Sequence, residues 1–185
     1  MKNYSTLGVV LKRRNFSEAD RVLTIFTKHH GKIVTLAKGI RKITSRKAPS
    51  LELFSYCKMQ LVSGRNFEII TETELISSFP NLRNDLKAIA VGYQLCEVID
   101  RLLPERQVNR SLFDMLITSF TEIDQSSENF SKKRLESMLL HILWDLGYIP
   151  ANEVLTGEKL SFFLESILEK KLKSDQLLTK VEQLA

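Results

Sequence analysis

The chain has 185 residues, 43% hydrophobic and 26% charged, which suits one large domain or two small ones able to bury a core. No apolar run reaches the roughly 18 residues of a membrane helix, and Met1-Lys2-Asn3-Tyr4 opens no apolar signal segment, so a cytoplasmic protein is expected. The net charge of +5 is unevenly spread: residues 1–80 hold 14 Lys and Arg against 6 Asp and Glu, and residues 81–185 hold 13 against 16. A basic half beside a mildly acidic one suggests that the first half meets a polyanion.

Residues 1–80 read as five short strands. Tyr4–Lys12 is rich in Val and Leu, Arg21–Thr27 alternates β-branched and aromatic residues, and Lys32–Lys38 follows a Gly31 turn. Leu51–Val62 and Phe67–Leu75 are the fourth and fifth runs, with Ser63-Gly64-Arg65-Asn66 as a hairpin loop between them. Five strands in this length predict a small closed barrel, since closure removes exposed edges. An OB-fold fits, and strand count alone also allows an SH3-like barrel.

At Pro80 the period changes from two to 3.6. Leu82, Leu86, Ile89, Tyr93, Cys96, Ile99 and Leu103 mark one face of a helix that Pro104 ends. Ser111–Ile123 predicts a second helix with Leu112, Met115, Leu116, Phe120 and Ile123 inward, and Asp124–Ser127 a polar loop. Lys132–Leu146 predicts a third, with Gly147 as its C-cap and Pro150 beyond. Further amphipathic helices are expected over Leu160–Lys173 and Asp175–Leu184. The expected class is therefore α+β, an all-β domain over residues 1–80 and an all-α helical bundle over 81–185.

The most informative segment runs from Lys28 to Lys47. It holds Lys28, Lys32, Lys38, Arg41, Lys42, Arg46 and Lys47 and no acidic residue. A run of one sign repels itself unless a polyanion neutralises it, and Lys and Arg that neutralise phosphates release counterions. With Arg13 and Arg14 from the first strand, the residues Lys38, Arg41, Lys42, Arg46 and Lys47 are the expected phosphate contacts. Phe16, beside Arg13, Arg14 and Ser17, is the best placed ring for an exposed stacking platform, whereas Phe26 reads as core.

Catalytic signals are weak. His29-His30 has no Cys or third His nearby and reads as a surface turn, and His141 reads as a structural histidine. Cys57 and Cys96 are too few for a four-cysteine zinc site, so neither a metal nor a cofactor is expected. Phosphate-loop, zinc-protease and nucleophile-elbow motifs are absent from the sequence. Glu68, Glu72 and Glu74 share one parity on the fifth strand. A magnesium nuclease using Glu72 and Glu74 is thus the rival reading, a solvated barrel face the plain one, and an RNA-binding OB protein a third.

The order of segments resembles the RecO family of bacterial recombination mediators. The resemblance is carried by Gly8–Arg14, Ser17–Arg21, Phe26-Thr27, Gly31-Lys32, Ala37–Lys42 and Ser45-Arg46, then Ser78-Phe79-Pro80, Leu102-Leu103-Pro104, Leu112-Phe113 and Leu146–Pro150. It covers about residues 4–150 in order. It implies an N-terminal OB-fold and a C-terminal helical domain. It also implies a non-enzymatic mediator of the RecF pathway at the bacterial nucleoid, which binds single- and double-stranded DNA, anneals complementary strands and helps RecR load RecA on strands coated by single-strand-binding protein (SSB). Many relatives follow the Leu-Gly-Tyr-x-Pro segment with a four-cysteine zinc module. Ala151–Gly157 contains no cysteine, so a shortened helical end without the zinc module is expected. The family's helical domain captures the acidic, apolar C-terminal tail of SSB, and Lys133 and Arg134 fall on its basic positions.

Overall fold

The computed structural model describes residues 3–125, 131–168 and Leu172. The chain divides into two compact units, one of residues 1–78 with 104–114, the other of residues 79–103 with 115–185.

The first unit is the barrel. Its strands are β1 (Asn3–Phe16), β2 (Asp20–Thr27), β3 (Gly31–Ala37), β4 (Tyr56–Ser63) and β5 (Glu68–Ser77). They close in the order β1-β2-β3-β5-β4, with β3 and β5 parallel and the other pairs antiparallel. This is the OB arrangement of the five-stranded barrel. β1 serves two neighbours: Asn3–Val9 pair with β4, and Gly8–Phe16 pair with β2, so both partners meet it at Gly8 and Val9. A Cβ at Gly8 would lie 2.7 Å from the Ile25 side chain and 2.9 Å from Met59, which is why the strand has a glycine where it bends to close the barrel.

The barrel core is the inward set of alternating residues, including Val10, Leu23, Ile25, Ile33, Ala37, Met59, Leu61 and Ile70, sealed by Ile40 and Leu51 from the loop between β3 and β4. Phe26 is fully buried on the other face of β2, where the ring of Phe113 meets it edge-on at 5.5 Å. Phe113 also meets Tyr56 at 6.1 Å. Residues 104–114 thus cover one outer face of the barrel. They are tied down by Arg106 with Glu68 (3.2 Å), Lys28 with Asp114 (2.9 Å) and the Arg106 amide donating to the Lys32 carbonyl (2.9 Å). A Cβ at Gly31, whose φ is +67°, would strike the Gln107 backbone, so the β2–β3 turn needs its glycine on both counts.

The fourth strand is shorter than expected. Leu51–Ser55 is not strand; a 3-10 turn at Ala48–Leu51 and Phe54 at φ +67° bring the chain back to the barrel. The apolar residues of this stretch plug the barrel instead of lengthening β4, a difference that hydrophobicity alone does not reveal.

The second unit is helical. Its elements are α1 (Pro80–Asn84), α2 (Leu86–Leu102), the part of α3 (Arg110–Gln125) from Met115 on, α4 (Lys132–Asp145) and α5 (Gly157–Leu168). The single helix expected from Leu82 to Leu103 is in fact two. Asp85 is extended, ends α1 and caps α2 by accepting from the Ala88 amide at 2.7 Å. Leu86 and Tyr93 of the expected face are exposed, whereas Leu82, Cys96, Ile99 and Leu103 of that face are buried together with Ala88, Val91, Leu95, Val98 and Leu102. Asp124 is helical, not part of a loop, and its carboxylate accepts from the Leu82 amide at 2.9 Å. Ser126 and Ser127 of the expected loop, and the expected helix Asp175–Leu184, lie outside the described residues.

α4 ends as its sequence suggests. Gly147, at φ +77°, donates to the Trp144 carbonyl, and Tyr148 donates to that of Leu143. That pair of bonds is the Schellman motif, which needs a left-handed residue after the last turn. No helix among the described residues is long and apolar enough to cross a membrane.

Candidate nucleic-acid interface

One end of the barrel gathers cations from three segments distant in sequence. The first is the β1–β2 hairpin, which carries Arg13, Arg14 and Phe16 to its tip. The second is the loop after β3. Gly39, at φ +66°, turns the chain, and its amide donates to the Asp20 carboxylate at 2.7 Å. The Arg41 amide donates to the Ala19 carbonyl at 2.9 Å, and the Arg41 guanidinium reaches the Ser17 carbonyl at 3.4 Å. The basic loop is therefore laced to the hairpin turn. The third segment is the β4–β5 loop. Its Phe67 meets Phe16 edge-on at 6.0 Å, and Arg65 beside it is exposed.

The expected phosphate contacts divide by what they touch. Arg14, Lys38, Lys42 and Arg46 are exposed, with no ion-pair or side-chain hydrogen-bond partner among the described residues. Arg41 is exposed but anchored to Ser17. Arg13 is paired with Glu52, which also accepts from Arg21 at 3.0 Å. One carboxylate thus serves two guanidiniums, a local surplus of positive charge. Burial, then the charges of Arg13 and Arg41, push the Arg21 pKa down. Lys47 is half-buried and donates to the Ile70 carbonyl at 2.9 Å, bracing the loop against β5. Burial lowers its pKa, against the pull of Asp20.

Two members of the basic run lie elsewhere. Lys28 is paired with Asp114, and Lys32 is buried. Arg21 and Arg65 belong to the basic end but escaped the sequence reading. Each stands alone outside the run, and only closure of the barrel brings it there. Phe16 is 42% exposed, enough to offer part of its ring. Chemically, this end presents exposed cations, one half-exposed ring and loop hydroxyls, an arrangement suited to phosphates and bases.

Glu68, Glu72 and Glu74 do not share a face. A bulge at Thr71 lies between the pairs Leu61–Ile70 and Gln60–Glu72. It puts Glu68 on the opposite side of the strand from Glu72 and Glu74. Glu68 is occupied there by the Tyr4 hydroxyl at 2.8 Å and by Arg106. Burial and this carboxylate push the Tyr4 phenol up to about 12. No group of three His, Cys, Asp or Glu among the described residues could hold a metal ion.

In the helical unit, Lys133 and Arg134 open α4, with Ser131 as N-cap. Arg134 pairs with Glu122 at 3.0 Å and lines a groove of about 370 Å³ with Met115, Ser119, Met138 and His141. Lys133 is exposed and does not line it.

The family profile described as Recombination protein O N terminal matches residues 1–79, and that described as Recombination protein O C terminal matches residues 83–161. The chain is 34% identical over 160 residues to the DNA repair protein RecO of Symbiobacterium thermophilum, covering 85% of this chain and 62% of that protein. It is 34% identical over 147 residues to the RecO of a Roseiflexus species, covering 80% and 51%. It is 35% identical over 137 residues to the RecO of Geobacter sulfurreducens, covering 74% and 56%. It thus spans between half and two thirds of the length of these relatives. Two consecutive profiles of one protein, matched in order across a closed barrel and the helices that follow it, place this chain in the RecO family.

Proposed function

We propose that this chain is a DNA-binding, non-enzymatic mediator of recombinational repair in the bacterial cytoplasm. Its barrel binds single- and double-stranded DNA through Arg13, Arg14, Lys38, Arg41, Lys42, Arg46 and Lys47, with Arg21 and Arg65 adding to the field. The observation that carries the reading is the set Arg14, Lys38, Lys42 and Arg46: four exposed cations without acidic partners, on two segments bonded to each other. Exposed charges of one sign held together repel, and a polyanion relieves the repulsion. Neutralised strands approach one another more easily, so the same surface promotes annealing of complementary strands. Within the RecF pathway this activity serves RecR in loading RecA on DNA coated by SSB. The groove lined by Arg134, Met115 and Met138 suits the acidic, apolar tail of SSB, with Lys133 next to Arg134 at the start of α4, because a cation beside apolar walls fits such a peptide.

The test is binding of a single-stranded oligonucleotide over a range of salt. Replacing Arg14, Lys38, Lys42 and Arg46 with alanine is expected to reduce the log–log salt slope by roughly 0.7 for each lost phosphate contact, about three in all, and to slow annealing. An unchanged slope refutes the assignment. Incubating DNA with magnesium separates the mediator from the nuclease that Glu72 and Glu74 would require: the DNA is expected to stay intact. Competition with RNA tests the remaining alternative.

A further inference from the structure

The basic loop carries an aliphatic side chain at its tip. Ile43 is completely exposed, although it follows Arg41 and Lys42 and precedes Arg46. Ile40, three residues earlier, is 1% exposed and belongs to the barrel core. One isoleucine roots the loop, and the other is presented at its end. The tip between them is structured. The Lys42 amide donates to the Gly39 carbonyl at 3.1 Å, and the Ser45 amide to that of Lys42 at 2.9 Å. With Arg41 bonded back to Ala19 and Ser17, the turn presents Ile43 to solvent between Lys42 and Arg46 in the chain.

A β-branched side chain is stiff at χ1, so its presentation loses little rotamer freedom on contact. Scattered exposed apolar residues need no explanation. An isoleucine on a braced tip that Lys42 and Arg46, two exposed cations without acidic partners, flank in the chain is a different case, because whatever the cations attract is brought near it. Phosphates cannot use an alkyl group, but the faces of bases can. Proteins that hold a strand by its phosphates commonly insert an apolar wedge between adjacent bases.

We infer that Ile43 is a base-contacting wedge, which enters between neighbouring bases of the strand whose phosphates the flanking Arg41, Lys42 and Arg46 hold. This rests on the DNA-binding reading above and extends it from charge to bases. A wedge supplies affinity that salt does not screen, because it releases no counterions. It also unstacks the step it enters, which lowers the obstacle to re-pairing that stacked single strands present.

The experiment compares Ile43→Ala, Ile43→Leu and Arg46→Ala in binding oligonucleotides that carry 2-aminopurine, whose fluorescence rises on unstacking, over a range of salt. Ile43→Ala is expected to weaken binding by about fivefold to tenfold with the salt slope unchanged, and to abolish the fluorescence rise. Ile43→Leu should retain both, and Arg46→Ala should lower the slope. If Ile43→Ala binds within about twofold of the unsubstituted protein while Arg46→Ala lowers the slope, the wedge is refuted and the phosphate site stands. If no variant changes binding or slope, the phosphate site falls and the wedge with it. Binding to phosphatidylserine vesicles is measured in parallel. Loss of vesicle binding in Ile43→Ala, with DNA binding intact, would assign the side chain to a membrane surface and overturn the proposal.

Discussion

Phe113 provides the sharpest test of how the barrel is completed. It lies more than thirty residues beyond the last strand, yet it is 1% exposed and touches Phe26 on β2 and Tyr56 on β4. Phe113→Ala removes the ring and leaves a cavity that the two neighbouring rings cannot close without leaving their strands. Truncations of this type cost about 3–5 kcal/mol, and each lost edge-on aromatic contact adds about 0.5–1.5 kcal/mol to the area term. A loss of about 4 kcal/mol is therefore expected, a large share of the roughly 5–15 kcal/mol that holds a domain. Asp114→Ala, the adjacent control, breaks the partly exposed pair with Lys28 and is expected to cost less than about 1 kcal/mol. Amide exchange at Ile25, Phe26 and Thr27 reads the barrel directly, and urea unfolding followed by Trp144 fluorescence reads the helical unit. The reasoning fails if the β2 amides of Phe113→Ala lose less than about 1 kcal/mol of protection, or no more than those of Asp114→Ala. The same logic makes a fragment of residues 1–80 markedly less stable than the barrel in the whole chain, since it lacks both Phe113 and the Arg106 pair with Glu68.

Lys47→Ala is expected to lower the salt slope of DNA binding by less than Arg46→Ala does, and to lower barrel stability by about 1 kcal/mol, because its ammonium bonds the Ile70 carbonyl; a slope reduced as much as in Arg46→Ala would contradict this. Tyr4, raised to about 12 in the fold from an ordinary 10, keeps its proton longer when folded, so its contribution is complete below pH 10 and is lost as pH rises through 12. Alkaline unfolding curves should show this loss, and Tyr4→Phe should remove its part of the pH dependence. Gly147→Ala forces an L-residue into φ +77° with open space around it, so the cost is purely conformational, about 1 kcal/mol in thermal unfolding. Arg134→Ala should weaken binding of a synthetic acidic SSB tail peptide by about tenfold in a titration, and equal binding would remove the groove from consideration.

Much of the architecture was legible because its determinants are local. Period two in Arg21–Thr27 and Lys32–Ala37, the shift to period 3.6 after Pro80, and Gly147 before Pro150 follow from backbone geometry that neighbouring residues impose on one another. The charge run from Lys28 to Lys47 was equally plain, since a count needs no fold. What the sequence could not settle depends on partners far along the chain. The bulge at Thr71 is a matter of register with β4, and it parts Glu68 from Glu72 and Glu74, which a strict alternation would align. The break at Asp85 lies inside a continuous apolar period, which the capping bond to the Ala88 amide interrupts and hydrophobicity alone does not reveal. Residues 104–110 look like a helix connection and 111–114 like the first turn of a helix, yet they become part of the barrel because Phe113 fills the apolar face that Phe26 and Tyr56 leave. Tertiary structure also decided which cations stay available. Glu52, Asp114 and the Ile70 carbonyl take up Arg13, Lys28 and Lys47, while Arg14, Lys38, Lys42 and Arg46 are left to solvent, because charge is a property of the residue and pairing is a property of the fold.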